Sequence, residues 1–163
     1  MDLSKVSRSE VYGAVAALIL LATLLFLNWY GLTETDARVN EGIDFICGDD
    51  NYSCTGFATF PILRWLLVLA CSAPLVLAWI LARGHKLSWA PGEMTMVVGF
   101  AAFVLIAYNG ILDKPGKVGA EIGVTLEPGY FIALAASIGI AASGVLRLME
   151  SQKGNLRKAP GTV

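Results

Sequence analysis

Charge is scarce in this chain. Of its 163 residues 15% are charged and 56% hydrophobic, where ordinary globular domains carry about 25% charged residues. The central turns of its four longest apolar runs hold no Asp, Glu, Lys, Arg or His. An ionisable group within the membrane is the usual mark of an ion or proton path, so coupled transport lacks its usual equipment. No basic patch with interleaved aromatics occurs, which argues against nucleic acid as a partner. No internal repeat is evident, whereas many transporters are built from one. Cysteine is rare too, three in all, and none forms a Cys-x-x-Cys pair of the thiol-redox type.

What the chain does have is length in its apolar runs. They extend over Glu10 to Gly31, Phe60 to Arg83, Met94 to Leu112 and Gly129 to Met149. At about 1.5 Å per residue, about 20 residues cross a hydrocarbon core of about 30 Å, and helix satisfies every backbone group there. With a mean hydropathy of +0.64, the fold class is an all-α integral membrane protein, a bundle of four transmembrane helices. Residues 1–9 form the N-terminus, 32–59 and 113–128 two outer loops, and 150–163 a flexible tail. The first run is longer than the ~7–15 residues of a signal-peptide core and ends in the bulky "NWYG", so it is read as a retained helix.

Loop charge sets the orientation. Eight basic residues (Lys5, Arg8, Arg83, Lys86, Arg147, Lys153, Arg157, Lys158) fall on the side of the termini, and four (Arg38, Arg64, Lys114, Lys117) on the other. The bias places both termini in the cytoplasm and the protein in the cell membrane. In the second outer loop, "EIGVTLE" alternates like a short strand and is expected to pair with part of the first loop.

The first outer loop contains "FICGDDNYSCTGF". Cys47 and Cys54 lie on the oxidising side with turn-forming "GDDN" between them, and a disulfide clasp is the expected reading. Asp49 and Asp50 belong to an acidic stretch that lacks the alternating ligands and closing Glu of a calcium loop, so neither metal nor cofactor is expected. Arg64, at the outer end of the second span, is placed to snorkel to the interface, with loop carboxylates, Asp113 or Glu127 as partners. Arg64, Asp49, Asp50, Asp113 and Glu127 are the candidate interaction residues.

Small residues recur at helical spacing in the last span, Ala135, Gly139 and Ser143, and in the first, Gly13 and Ala17. Lipid supplies no hydrophobic drive between helices, so such stripes let backbones pack closely, within the bundle or between copies. Pro74 within the second span predicts a kink whose freed carbonyl Ser72 or a neighbour meets. His85, beside Arg83 and Lys86, is read as a lipid-headgroup contact.

"RSEVYGAVAALILLATLLFLNWYGL", "GFATF" and "GVTLEPGYFIALAASIGIAASGVL" together resemble small uncharacterised four-span membrane proteins of actinobacteria, over most of the chain. The sequence departs from them in carrying Asn28 where Pro is usual, and in adding the cysteine loop. The order Trp29, Gly31, Leu32, Cys47, Cys54, Arg64 is similar, in topology, to claudin-like four-span proteins. Both resemblances imply a multi-pass membrane protein. Small multidrug-resistance transporters also have four spans, but they depend on a membrane-buried Glu in the first, and Glu10 here sits at the cytoplasmic edge.

The expected function is a non-catalytic accessory or interaction subunit in the lipid bilayer, binding a membrane-protein or lipid partner. A small channel or transporter formed as a homo-oligomer is the alternative, and a membrane thiol-redox protein the third reading.

Overall fold

The computed structural model describes residues 7–32, 53–84, 91–112 and 124–156. In chain order these form α1 (Arg8–Phe26), β1 (Asn28–Leu32), β2 (Ser53–Thr55), the one-turn α2 (Gly56–Thr59), α3 (Leu63–Ala82), α4 (Pro91–Ala107), a π turn (Tyr108–Leu112), β3 (Val124–Leu126) and α5 (Pro128–Leu156). Four helices are long and apolar enough to cross a membrane, α4 counted together with its π turn. Large apolar side chains such as Leu18, Leu69, Phe100 and Ile132 point outward, while Leu20, Leu24, Leu67, Ile106 and Ile140 fill the interior. That inversion of the soluble pattern is what a bundle solvated by lipid requires. α5 packs along both α1 and α4, and α3 leans mainly on α1.

α1 opens with a capping box. The Ser7 amide donates to Glu10 Oε2 at 2.7 Å, and Ser7 Oγ accepts from the Glu10 amide. It ends earlier than its apolar run, because Leu27 is extended at φ −101°, ψ 144° and the chain becomes β1. The Trp29 indole N–H then donates back at 2.9 Å to the Thr23 carbonyl, which also accepts the Leu27 amide at 3.2 Å. α5 continues past Met149 as far as Leu156.

The strands make an antiparallel sheet of order β2-β1-β3. Tyr30 sits opposite both Cys54 and Leu126, with an irregularity in the β1–β2 register between Asn28 and Tyr30. Of the strand expected in "EIGVTLE", Val124–Leu126 is present, and residues 121–123 lie outside the described residues. Its partner is the end of the first apolar run, where the chain has already left the helix.

This sheet brings three buried aromatic rings over the helix ends. Trp29 meets Tyr130 edge-on at 6.2 Å between ring centres, and Tyr30 meets Phe60 edge-on at 5.8 Å. The Tyr130 hydroxyl donates to the Ile106 carbonyl at 3.2 Å and the Tyr30 hydroxyl to that of Asn109 at 3.4 Å. A π turn shifts the backbone ladder by one residue, and these phenols serve carbonyls in and just before it. Burial pushes the Tyr30 phenol well above its ordinary pKa, with the neighbouring Tyr130 adding to the rise, so it remains a donor. At Gly110 any side chain would run into the Tyr130 ring. Tyr130→Phe removes a single donor from this buried junction. The expected loss is about 1 kcal/mol, read as a lowered thermal midpoint in detergent with unchanged helix content.

In α3, Pro74 is buried and lies inside the helix. The Ser72 hydroxyl donates to the Leu69 carbonyl at 2.7 Å, one residue short of the Ala70 carbonyl that Pro74 leaves without an amide. The expected service by Ser72 therefore goes to its neighbour. α3 stops at Gly84, whose φ of 80° suits glycine and whose amide caps the Leu81 carbonyl at 2.9 Å.

Candidate functional site

The polar chemistry gathers at the end of the bundle where α1 begins and α3 finishes. Glu10 and Arg147, on α1 and α5, form an ion pair with side chains 7% and 23% exposed. Arg147 Nη1 also donates to Ser7 Oγ at 2.7 Å. Ser7 Oγ lies 2.7 Å from the buried Ser9 Oγ, which donates to Glu150 at 2.9 Å. Because Ser7 Oγ accepts from Arg147 and from the Glu10 amide, its own proton goes to Ser9. The relay therefore runs from guanidinium to carboxylate with each hydroxyl used once as donor.

Below it lies a cavity of about 20 Å³ between all four long helices, lined by Glu10, Gly13, Pro74, Thr95, Ser143 and Arg147 among others. That is room for one water with several polar neighbours. The cluster ties the two ends of the chain together. Within it the Ser9 hydroxyl is set against the Glu150 carboxylate. Among the described residues no three of His, Cys, Asp and Glu come together as a metal site.

The second feature is a groove between α3 and α4 of about 630 Å³, open along one side. Leu69, Ala73 and Val76 of α3 face Met94, Val98 and Ala101 of α4 across it. Its hydroxyl, that of Ser72, is turned to its own helix backbone. The groove exists because the helices pack unequally. α4 is drawn onto α5 by glycines: a Cβ on Gly99 would lie 2.8 Å from Ala141 Cα, and one on Gly144 2.8 Å from Met96 Cα. α3, by contrast, contains no glycine.

Of the residues singled out in the sequence, Cys47, Asp49, Asp50, Asp113 and His85 lie outside the described residues. Cys54 is buried on β2 opposite Tyr30, and the free cysteine among the described residues is Cys71, buried within α3. Arg64 makes no ion pair with Glu127. Its guanidinium lies 5.0 Å over the Phe57 ring and 5.7 Å from that of Trp65, and its Nε has no hydrogen-bond partner. Glu127 instead follows β3, its amide bonded to the Trp29 carbonyl at 2.9 Å and its carboxylate beside Gly31.

Arg64 is thus a cation held on two aromatic faces. Arg64→Lys keeps the charge and loses the planar stack, while Arg64→Ala loses both. The expected costs are about 0.5 and about 1–2 kcal/mol, measured as thermal stability in detergent. Equal stability of all three proteins would refute the stack as a contributor.

Gly13 and Ser143 do meet, since a Cβ on Gly13 would lie 2.5 Å from Ser143 Oγ, and Ala17 is fully buried. Gly139 approaches Ala16 on α1. Ala135 points outward, and the buried face of α5 runs through Ala133, Ala136, Ser137 and Ile140. Of the α5 stripe, Gly139 and Ser143 pack inside the bundle and Ala135 does not. Sequence reasoning missed the pairing of Glu10 with Arg147, although a Ser-x-x-Glu start and an Arg in the final turn of the last apolar run place opposite charges at one depth. It also missed Gly99 and Gly144, the closest helix approaches.

No family model matches the chain, and no curated protein or solved structure is significantly similar to it, so the resemblances to actinobacterial four-span and claudin-like proteins gain no support from a relative.

Proposed function

We propose that the chain is a non-catalytic integral protein of the cell membrane, an accessory subunit that binds an apolar membrane partner along the α3–α4 groove. Its termini are in the cytoplasm, and the sheet with a Cys47–Cys54 clasp faces outside. The observation that carries this reading is the groove itself, about 630 Å³ and apolar, within the ~300–1,000 Å³ usual for pockets that take ligands. The polar groups support the non-catalytic part. Ser72, Ser137 and Ser143 bond to their own helix backbones, and the Glu10–Arg147 pair joins helix to helix. The buried Cys71 thiol has no second free cysteine beside it among the described residues, which disfavours redox exchange.

Mass measurement of the protein released from its membrane in a gentle detergent tests the reading. A stoichiometric lipid or protein that stays bound, and is lost when Ala101→Phe fills the groove, is the expected result. A bare monomer, or a homo-oligomer that conducts ions, would overturn it.

A further inference from the structure

We infer that the occupant of the α3–α4 groove is an anionic phospholipid, its acyl chain along the groove and its phosphate at Arg83; this rests on the partner-binding reading of the same groove. Shape comes first. From Leu66 to Ile80 the α3 lining spans about 21 Å at the helical rise, and the groove is apolar along that length with a volume of about 630 Å³, a shape that takes an extended hydrocarbon chain.

Charge comes second. Leu69, Ala73, Val76 and Ile80 form a stripe on α3 that lines the groove, and Arg83 continues it at the next helical step. Arg83 is the C-cap of α3, still in helical geometry at φ −81°, ψ −6°, and exposed. Its guanidinium lies 4.1 Å over the Trp79 ring and has no carboxylate partner among the described residues. Neither Arg83 nor Trp79 lines the groove itself, but a cation stacked on a tryptophan one helical step beyond the lining presents its donors where a lipid phosphate sits. A helix C-terminus carries negative partial charge and by itself repels an anion. Any preference for one therefore has to come from Arg83.

The experiment uses the full-length protein in bilayer discs of equal phosphatidylglycerol and phosphatidylcholine, extracted gently and weighed intact with its bound lipid. The wild type should retain one phospholipid, phosphatidylglycerol over phosphatidylcholine by about fivefold, the preference one cation near the membrane surface confers. Arg83→Gln should bring the ratio to about one while a lipid is still retained, and Arg83→Lys should restore most of it. Ala101→Phe should remove the retained lipid, and Ala135→Phe, on the outward face of α5, should leave it. Thermal melts of each variant confirm folding, and Arg83→Gln, at an exposed position, is informative even if the groove-filling variant fails to fold. Retention of lipid that ignores Ala101→Phe, or a ratio that ignores Arg83→Gln, would overturn the inference. If Ala101→Phe instead releases a protein partner, the inference falls and the accessory-subunit reading stands. If neither lipid nor protein depends on the groove, both fall.

Discussion

Gly99→Ala should cost about 3 kcal/mol, and Gly99→Leu should abolish cooperative unfolding altogether. The added Cβ would lie 2.8 Å from Ala141 Cα and 2.9 Å from the Ile140 carbonyl carbon. Both are backbone atoms, so no side-chain rotation relieves the contact and α4 has to move off α5. Overpacking typically costs about 1–3 kcal/mol, and a backbone collision belongs at the top of that range. Membrane helices are held by close packing rather than by exclusion from water, so a parted contact has no hydrophobic term to offset the loss. Gly144→Ala, which meets the Gly92 carbonyl oxygen at 2.6 Å, should behave like Gly99→Ala. Ala135→Leu should change stability by less than about 0.5 kcal/mol, because Ala135 points outward. Thermal unfolding of the four variants in one detergent decides the matter, and a destabilised Ala135→Leu beside a neutral Gly99→Ala would reverse the assignment of the packing face.

The second large effect is expected at the ion pair. Glu10→Leu leaves the Arg147 guanidinium, 23% exposed, without its carboxylate, and Arg147→Leu does the converse to a Glu10 side chain 7% exposed. Breaking one side of a buried pair costs about 3–5 kcal/mol. The residual exposure of Arg147 places both variants near the lower end, about 3 kcal/mol. Removing both charges together should recover most of that, since two leucines of similar bulk leave no buried charge to desolvate. A double-mutant cycle reads the coupling directly. Single variants each within about 1 kcal/mol of wild type would mean a solvated pair, as for ordinary surface salt bridges.

Much of the scaffold was legible in the sequence because lipid imposes one strict condition: about 20 apolar residues per crossing, in helix. The four runs satisfy it, and each supplies a helix. The alternation in "EIGVTLE" was legible for a similar reason, since a period of two is hard to mistake. "NWYGL" was not. Aromatics are favoured at the end of a span and in a strand alike, and only the pairing of β1 with β2 and β3 decides between them. The packing face of α5 was hidden by abundance. Small residues occupy nearly every phase of "ALAASIGIAASG", so Ala135 looked as suitable as Ala136 until the glycines of α4 fixed the rotation. Counting charges as orientation markers assigned Arg147 to a membrane edge and never asked which acid stood beside it. The groove had no sequence signal, because it arises from a difference between two helix contacts.

The central claim is that the α3–α4 groove is an occupied binding site. A photo-crosslinking residue at Ala101, compared with one at Ala135 in the same native membrane, tests it most directly. Occupancy predicts a single dominant adduct of fixed mass from Ala101 and a diffuse spread of bulk lipid from Ala135. The same diffuse spread from both positions would contradict it.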